Sequence, residues 1–97
     1  MRKGYFIGSV QYAASRAFIP VIEEVAAWKA SNGVFYAQLH TLVVVESEGS
    51  WIYPFGKKVS LEELLDQIPN LSITMRMAQL ALEERLSSDV IRAEGLR

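Results

Sequence analysis

Few side chains in this sequence could do chemistry. His40 is the only histidine and there is no cysteine. An imidazole can exchange a proton near neutral pH, which suits acid–base work, but a base needs a partner. Along the strand that the local pattern predicts, Glu46 stands six residues on, about 20 Å away in an extended chain. No HxH, HxxxH or HExxH spacing occurs, so a metal site would have to be mostly carboxylate. The absence of cysteine removes disulfides, thiolate ligands and thiol nucleophiles together. His40 therefore reads as a strand-surface histidine, and no catalytic residue, metal or cofactor is expected.

Gly56-Lys57-Lys58-Val59-Ser60 superficially resembles a phosphate loop. That motif needs a glycine five residues before the Gly-Lys pair, and the position holds Trp51. Ser60 has a better use. Ser60-Leu61-Glu62-Glu63 is a capping box, in which the Ser60 hydroxyl takes the Glu63 amide and the Glu63 carboxylate reaches back. Val59 and Leu64 stand at the hydrophobic-staple positions. The adjacent pairs Glu62-Glu63 and Glu83-Glu84 diverge on a helix, so capping and solvation explain them better than paired catalytic acids do.

Residues 59–85 offer a short helix over 61–68, a Pro69-Asn70-Leu71 turn, and a longer helix from Ser72. The run Glu63-Leu64, Ile68-Pro69-Asn70-Leu71-Ser72, then Thr74-Met75-Arg76 resembles the helix-turn-helix of winged-helix repressors, notably the ferric-uptake-regulator family. It is one residue short at the start of the second helix, and the family's histidine and cysteine metal ligands are absent. The resemblance implies a DNA-binding regulator. Thr74, Arg76 and Gln79 would then face the major groove, with Lys57 and Lys58 near phosphates. Arg76 is the only base on that helix before Arg85, and Glu83-Glu84 would approach the DNA. Nucleic acid is accordingly the second expectation.

The elements that must position these residues follow from periodicity. Tyr5 to Gln11 reads as a short strand. Phe18, Val21, Ile22, Val25 and Trp28 recur at three and four residues and predict a helix over roughly 16–31, closed by Asn32-Gly33. Two strands follow, Val34 to Ser47 and Trp51 to Lys57. A three-residue loop with Gly49 in a left-handed conformation would pair Glu46 with Ser50. That register puts Trp51, Tyr53 and Phe55 beside Thr41, Val43 and Val45. Pro54 cannot donate to a ladder and marks an edge strand. The last helix, capped by Asn70 or Ser72, reaches Arg92, with Gly95 just past its end.

Two apolar surfaces exceed what one small core needs. The last helix carries one stripe of Ile73, Met77, Leu80 and Ala81, and another of Met75, Ala78, Leu82 and Leu86. It is thus either sandwiched or shared with another chain. The even face of the hairpin, Tyr36, Gln38, His40, Leu42 and Val44 with Ile52 opposite, is too apolar for solvent and too polar for a core. These six residues are the candidate partner- or ligand-binding surface.

The expected architecture is α+β: a two-layer β-α-β-β-α-α domain over residues 1–97, with a small, mainly antiparallel three-stranded sheet packed against helices. Ten basic and eleven acidic side chains give a net charge of −1, which excludes a polybasic binder working through bulk charge. No apolar run reaches the roughly 18 residues of a membrane span. The basic, then apolar start lacks the small-residue cleavage site of a signal peptide, since Arg16 stands there. The expectation is a cytoplasmic, non-catalytic binding or regulatory module, homodimeric or bound to another protein or a small apolar ligand. A DNA-binding regulator and a small enzyme with a scattered active site are the alternatives.

Overall fold

The computed structural model describes residues 2–29 and 32–95. Five strands precede two helices: β1 (Arg2–Ile7), β2 (Gln11–Ala13), β3 (Arg16–Lys29), β4 (Asn32–Glu46), β5 (Gly49–Pro54), α1 (Leu61–Gln67) and α2 (Leu71–Gly95). Every strand pairing is antiparallel, in the order β1-β3-β4-β5, with β2 also paired to β3. The chain is α+β as expected, but its sheet has five strands rather than three, and no helix separates the first strands. The radius of gyration is 17.4 Å, against about 13 Å for a compact chain of this length. The long β3–β4 hairpin and the 25-residue α2 account for the difference.

Residues 16–29 form strand β3, not a helix. Ala17, Ile19, Val21, Glu23 and Val25 alternate along it and are all buried, while Phe18, Pro20 and Ile22 are half-buried on the other face. A strand apolar on both sides satisfies a three-and-four spacing by default, so periodicity loses its power to discriminate. The branched side chains of Ile19, Val21, Ile22 and Val25 then favour the pleated form. Asn32 and Gly33 do not end a helix. They open β4, paired with Lys29 and Trp28. The last two residues of the expected helix, Ala30 and Ser31, lie outside the described residues.

Pro20 occupies an inner strand, where its missing amide should break a ladder. Its carbonyl accepts from the Gly8 amide at 2.9 Å, and in a strand the N–H and C=O of one residue point to the same neighbour. The missing donor therefore faces the segment 8–10, where the edge is interrupted between β1 and β2. Gly8 permits the close approach, since a Cβ there would lie 2.9 Å from Pro20 Cγ. The edge re-forms as β2, which turns into β3 through Ala14 (φ 52°) and Ser15 (φ 62°). Two positive φ values in a two-residue loop are the type I′ pattern.

The β4–β5 register differs by one residue from expectation. Glu46 pairs with Gly49, not Ser50, and no described glycine has positive φ. The slip exchanges the faces of β5. Ile52 joins Val43 on the core side, while Trp51 and Tyr53 join Val44 and Leu42 on the opposite side. Pro54 does lie on an edge strand.

Both helices pack on the face that carries Ile19, Val21 and Val43, contributing Leu64, Ile68, Leu71, Ala78 and Leu82 to one core. Ser60 caps α1 as expected, its Oγ accepting from the Glu63 amide at 3.1 Å. Asn70 stands just before α2 and its carbonyl accepts from Thr74. The second helix continues through Gly95 rather than stopping before it. It is not sandwiched: Ala78 and Leu82 are buried, but Ile73, Met77 and Leu80 are exposed at 60%, 65% and 49%. Leu86 belongs to the second expected stripe, with Met75, Ala78 and Leu82, and its side chain lies outside the described ones.

Candidate functional site

A β-bulge builds a polar site on the helix side of the sheet. Val21 pairs with Thr41 and Ile22 with Leu39, leaving His40 as an extra residue in β4. Two residues then oppose one, and consecutive side chains emerge on the same side. His40 Nδ1 accordingly lies 2.8 Å from Thr41 Oγ1, a contact between neighbours that regular alternation forbids. The same pairing sets Glu23 beside Gln38 and Tyr5. Glu23 Oε2 is 3.9 Å from His40 Nε2, and the Tyr5 ring meets the imidazole edge-on at 5.1 Å between centroids. Glu23 is 6% exposed and the His40 side chain 11%. The partner that the sequence seemed to deny His40 is thus supplied by β3. A helix over 16–31 hides this, because it removes Glu23 from any strand.

These groups floor a groove of about 520 Å³ between the hairpin and α1. Tyr36 and Phe55 stand in its walls, Gln38 and Gln67 offer amides, and Lys57, Lys58 and Glu63 line it from the α1 side. Thr41 is fully buried, so its hydroxyl orients the imidazole and is not presented to a ligand. Among the described residues no group of three or more His, Cys, Asp or Glu side chains could hold a metal ion.

The six expected surface residues are divided by the bulge. Tyr36, Gln38 and His40 line the groove on the helix side. Leu42 and Val44 face the opposite way, and Ile52 packs against the core. Leu42 and Val44 belong to a larger surface that the expected register concealed. Cross-strand rows Phe18–Val44–Trp51, Pro20–Leu42–Tyr53 and Phe6–Ile22–Leu39 lie on the sheet face away from both helices. Val44 is sheltered by its neighbours, whereas Tyr53 is 55% exposed. Arg16 and Glu46 form an ion pair at one end of this face, with the Arg16 guanidinium 5.4 Å from the Trp51 ring centre.

The residues suggested by the repressor resemblance do not share one groove. Thr74 donates to the Asn70 carbonyl and lines a cleft beside β1. Arg76 lies at a separate cleft beside the β4–β5 turn, where Gln79 donates to the Ser47 carbonyl at 3.2 Å. Lys57 and Lys58 line the His40 groove.

No family model, curated protein or solved structure matches the chain. No described helix is long and apolar enough to cross a membrane.

Proposed function

We propose that this chain is a non-catalytic binding module of the cytoplasm that works by pairing with a second copy of itself through the open face of its sheet. The observation behind this reading is the three-row apolar surface centred on Leu42 and Val44, with both helices committed to the other side. An antiparallel sheet normally leaves its second face polar, with alternation along each strand. Here both faces are apolar, the pattern of a sheet covered twice.

The rim favours a like partner. Strands about 4.8 Å apart that rise about 3.3 Å per residue give about 32 Å² to each side chain on one face, so the three rows cover roughly 290 Å². They form the apolar centre of an interface that extends over the rest of this sheet face to reach the roughly 1,200 Å² total of a stable dimer. Among the described side chains, charge on this face lies at the ends, Arg16 with Glu46 at one and Glu24 at the other, as in interfaces with an apolar centre and a polar rim. Two sheets stacked about 10 Å apart would form a sandwich with helices outside.

Sedimentation velocity at micromolar concentration tests the proposal. The chain should run as a dimer, and Tyr53→Glu or Leu42→Glu should run as monomers with unchanged far-UV circular dichroism. Two-fold symmetry places each new carboxylate in the interface twice, and burying unpaired carboxylates costs several kcal/mol. Met77→Glu, on the outer stripe of α2, should leave the dimer intact. A monomeric parent chain, or a dimer lost only with Met77→Glu, contradicts the proposal.

A further inference from the structure

The edges of the sheet are not alike. Native sheets keep an edge strand short or place charge or proline on it, because its free amides and carbonyls would otherwise pair with another chain. Here β1 opens with Arg2-Lys3, β2 is three residues long, and β5 ends in Pro54. One further edge has none of these devices. β5 covers β4 only from Thr41 to Glu46, and the Phe55 amide closes that end by donating to the His40 carbonyl at 3.0 Å. Gly33 to Leu39 lies beyond β5, with β3 on one side and, among the described residues, no strand on the other. This stretch runs for roughly 20 Å at about 3.3 Å per residue. It contains neither charge nor proline.

The direction of its backbone groups follows from Pro20. The Pro20 carbonyl accepts from Gly8, so Pro20 aims at the β1–β2 edge, and Ile22, Glu24 and Ala26 share that direction. Glu23, Val25 and Ala27 alternate with them, aim at β4, and meet Gln38, Tyr36 and Val34. Gly33, Phe35, Ala37 and Leu39 therefore turn their amides and carbonyls outward.

We infer that this row pairs with the same row of a second copy, antiparallel about a two-fold axis at Phe35. An outward row of peptide groups selects an extended backbone, and its symmetry and neutrality select a like one. The axis brings Phe35 to Phe35 and Gly33 to Ala37, with about six hydrogen bonds between the two strands. No charge meets its own kind, as it would on most edges. The Phe35 side chain, 65% exposed, meets its copy across the axis. Centring the pair there also leaves the Leu39 end to Phe55. Such an axis stands normal to the sheet, so both copies keep their helices on one side and their open faces on the other. Edge and face contacts then use different surfaces and coexist.

Size sets the strength. The edge engages about five residues of each copy, against 20–30 a side in a standard interface. Its dissociation constant is accordingly about a millimolar. The edges stay apart at micromolar concentration and join only when the protein is concentrated.

Amide hydrogen exchange of Tyr53→Glu, read by NMR, tests the inference with the face contact removed. Between about 20 µM and about 2 mM, a range that brackets a millimolar constant, the Phe35 and Ala37 amides should slow about 2–3-fold. That is the slowing expected when about 60% of the chains are paired. Adding Ala37→Pro removes an amide that no strand of the same copy uses, so the fold should survive while the slowing at Phe35 disappears. Adding Phe35→Lys instead sets two ammonium groups across the axis and should abolish the slowing at Ala37 without touching the backbone. Far-UV circular dichroism would verify both folds. Equal rates at the two concentrations, or slowing that survives both variants, overturns the inference. The outcome is separate from that of the face contact, because Tyr53→Glu is monomeric at micromolar concentration whether or not the parent chain dimerises.

Discussion

Replacing Thr41 with valine keeps the branched shape and removes the hydroxyl that meets His40 Nδ1 at 2.8 Å. Thr41 is 0% exposed and sits between Val21 and Pro54 in the core-side row of the sheet. The new methyl therefore has apolar neighbours and leaves almost no cavity. What is lost is one neutral hydrogen bond, worth about 1 kcal/mol net. A ring nitrogen also loses its partner on a side chain only 11% exposed, which adds up to about 1 kcal/mol because some water still reaches it. Burial of the methyl returns a fraction, so the expected loss is about 1.5 kcal/mol, or about 9 °C in Tm for a domain of this size. Urea denaturation at fixed protein concentration would measure it, with an unchanged m-value showing that only stability moved. A cycle with His40→Leu should give a coupling of about 1 kcal/mol, since each variant removes the same bond. A loss below about 0.3 kcal/mol with additive variants, within the scatter of independent sites, would mean that the two side chains do not share a face. The bulge would then be misplaced, and the groove with it.

Three further substitutions probe the devices that shape the sheet and the helix start. Ser60→Ala should cost about 1 kcal/mol in a thermal melt by leaving the Glu63 amide without its acceptor, while Ser60→Asp should be nearly neutral. Ala14→Asn with Ser15→Gly should stabilise by about 1 kcal/mol, because both residues hold positive φ that asparagine and glycine adopt with less strain. Gly8→Ala should cost about 1–2 kcal/mol, since its Cβ would sit 2.9 Å from Pro20 Cγ and 3.1 Å from Ile22 Cδ1. Adding Pro20→Ala should recover part of that loss, and no recovery would show that the contact is not the cause.

The elements that announce themselves locally were legible in the sequence. Ser60 and Glu63 fix the start of α1 by a capping pattern that depends on four consecutive residues. Pro54 marks an edge because it lacks a donor, and Pro69 separates the two helices. Residues 16–29 were not legible, because Ala17, Ile19 and Val21 serve the core while Phe18, Pro20 and Ile22 serve the open face. Two superposed apolar patterns resemble a helix when read for period alone. Pro20 was the contrary signal, tolerable at the start of a helix but equally at home opposite a gap in an edge strand. The site failed with the element. Glu23 reaches His40 only across a hairpin pairing, and the bulge at His40 has no proline or glycine to announce it. The one-residue register of β5 had the same consequence, directing Ile52 inward and Tyr53 outward.

The most direct test of the central claim, that the open sheet face is a self-interface, is an isotope-filtered NOE experiment on a mixture of labelled and unlabelled chains. It detects only contacts between different copies. Methyl groups of Leu42, Val44 and Ile22 on labelled copies should show cross-peaks to Trp51 and Tyr53 rings of unlabelled ones. Cross-peaks confined to Ile73, Met77 and Leu80 on α2, or none in a sample concentrated well into the micromolar range, would contradict the account.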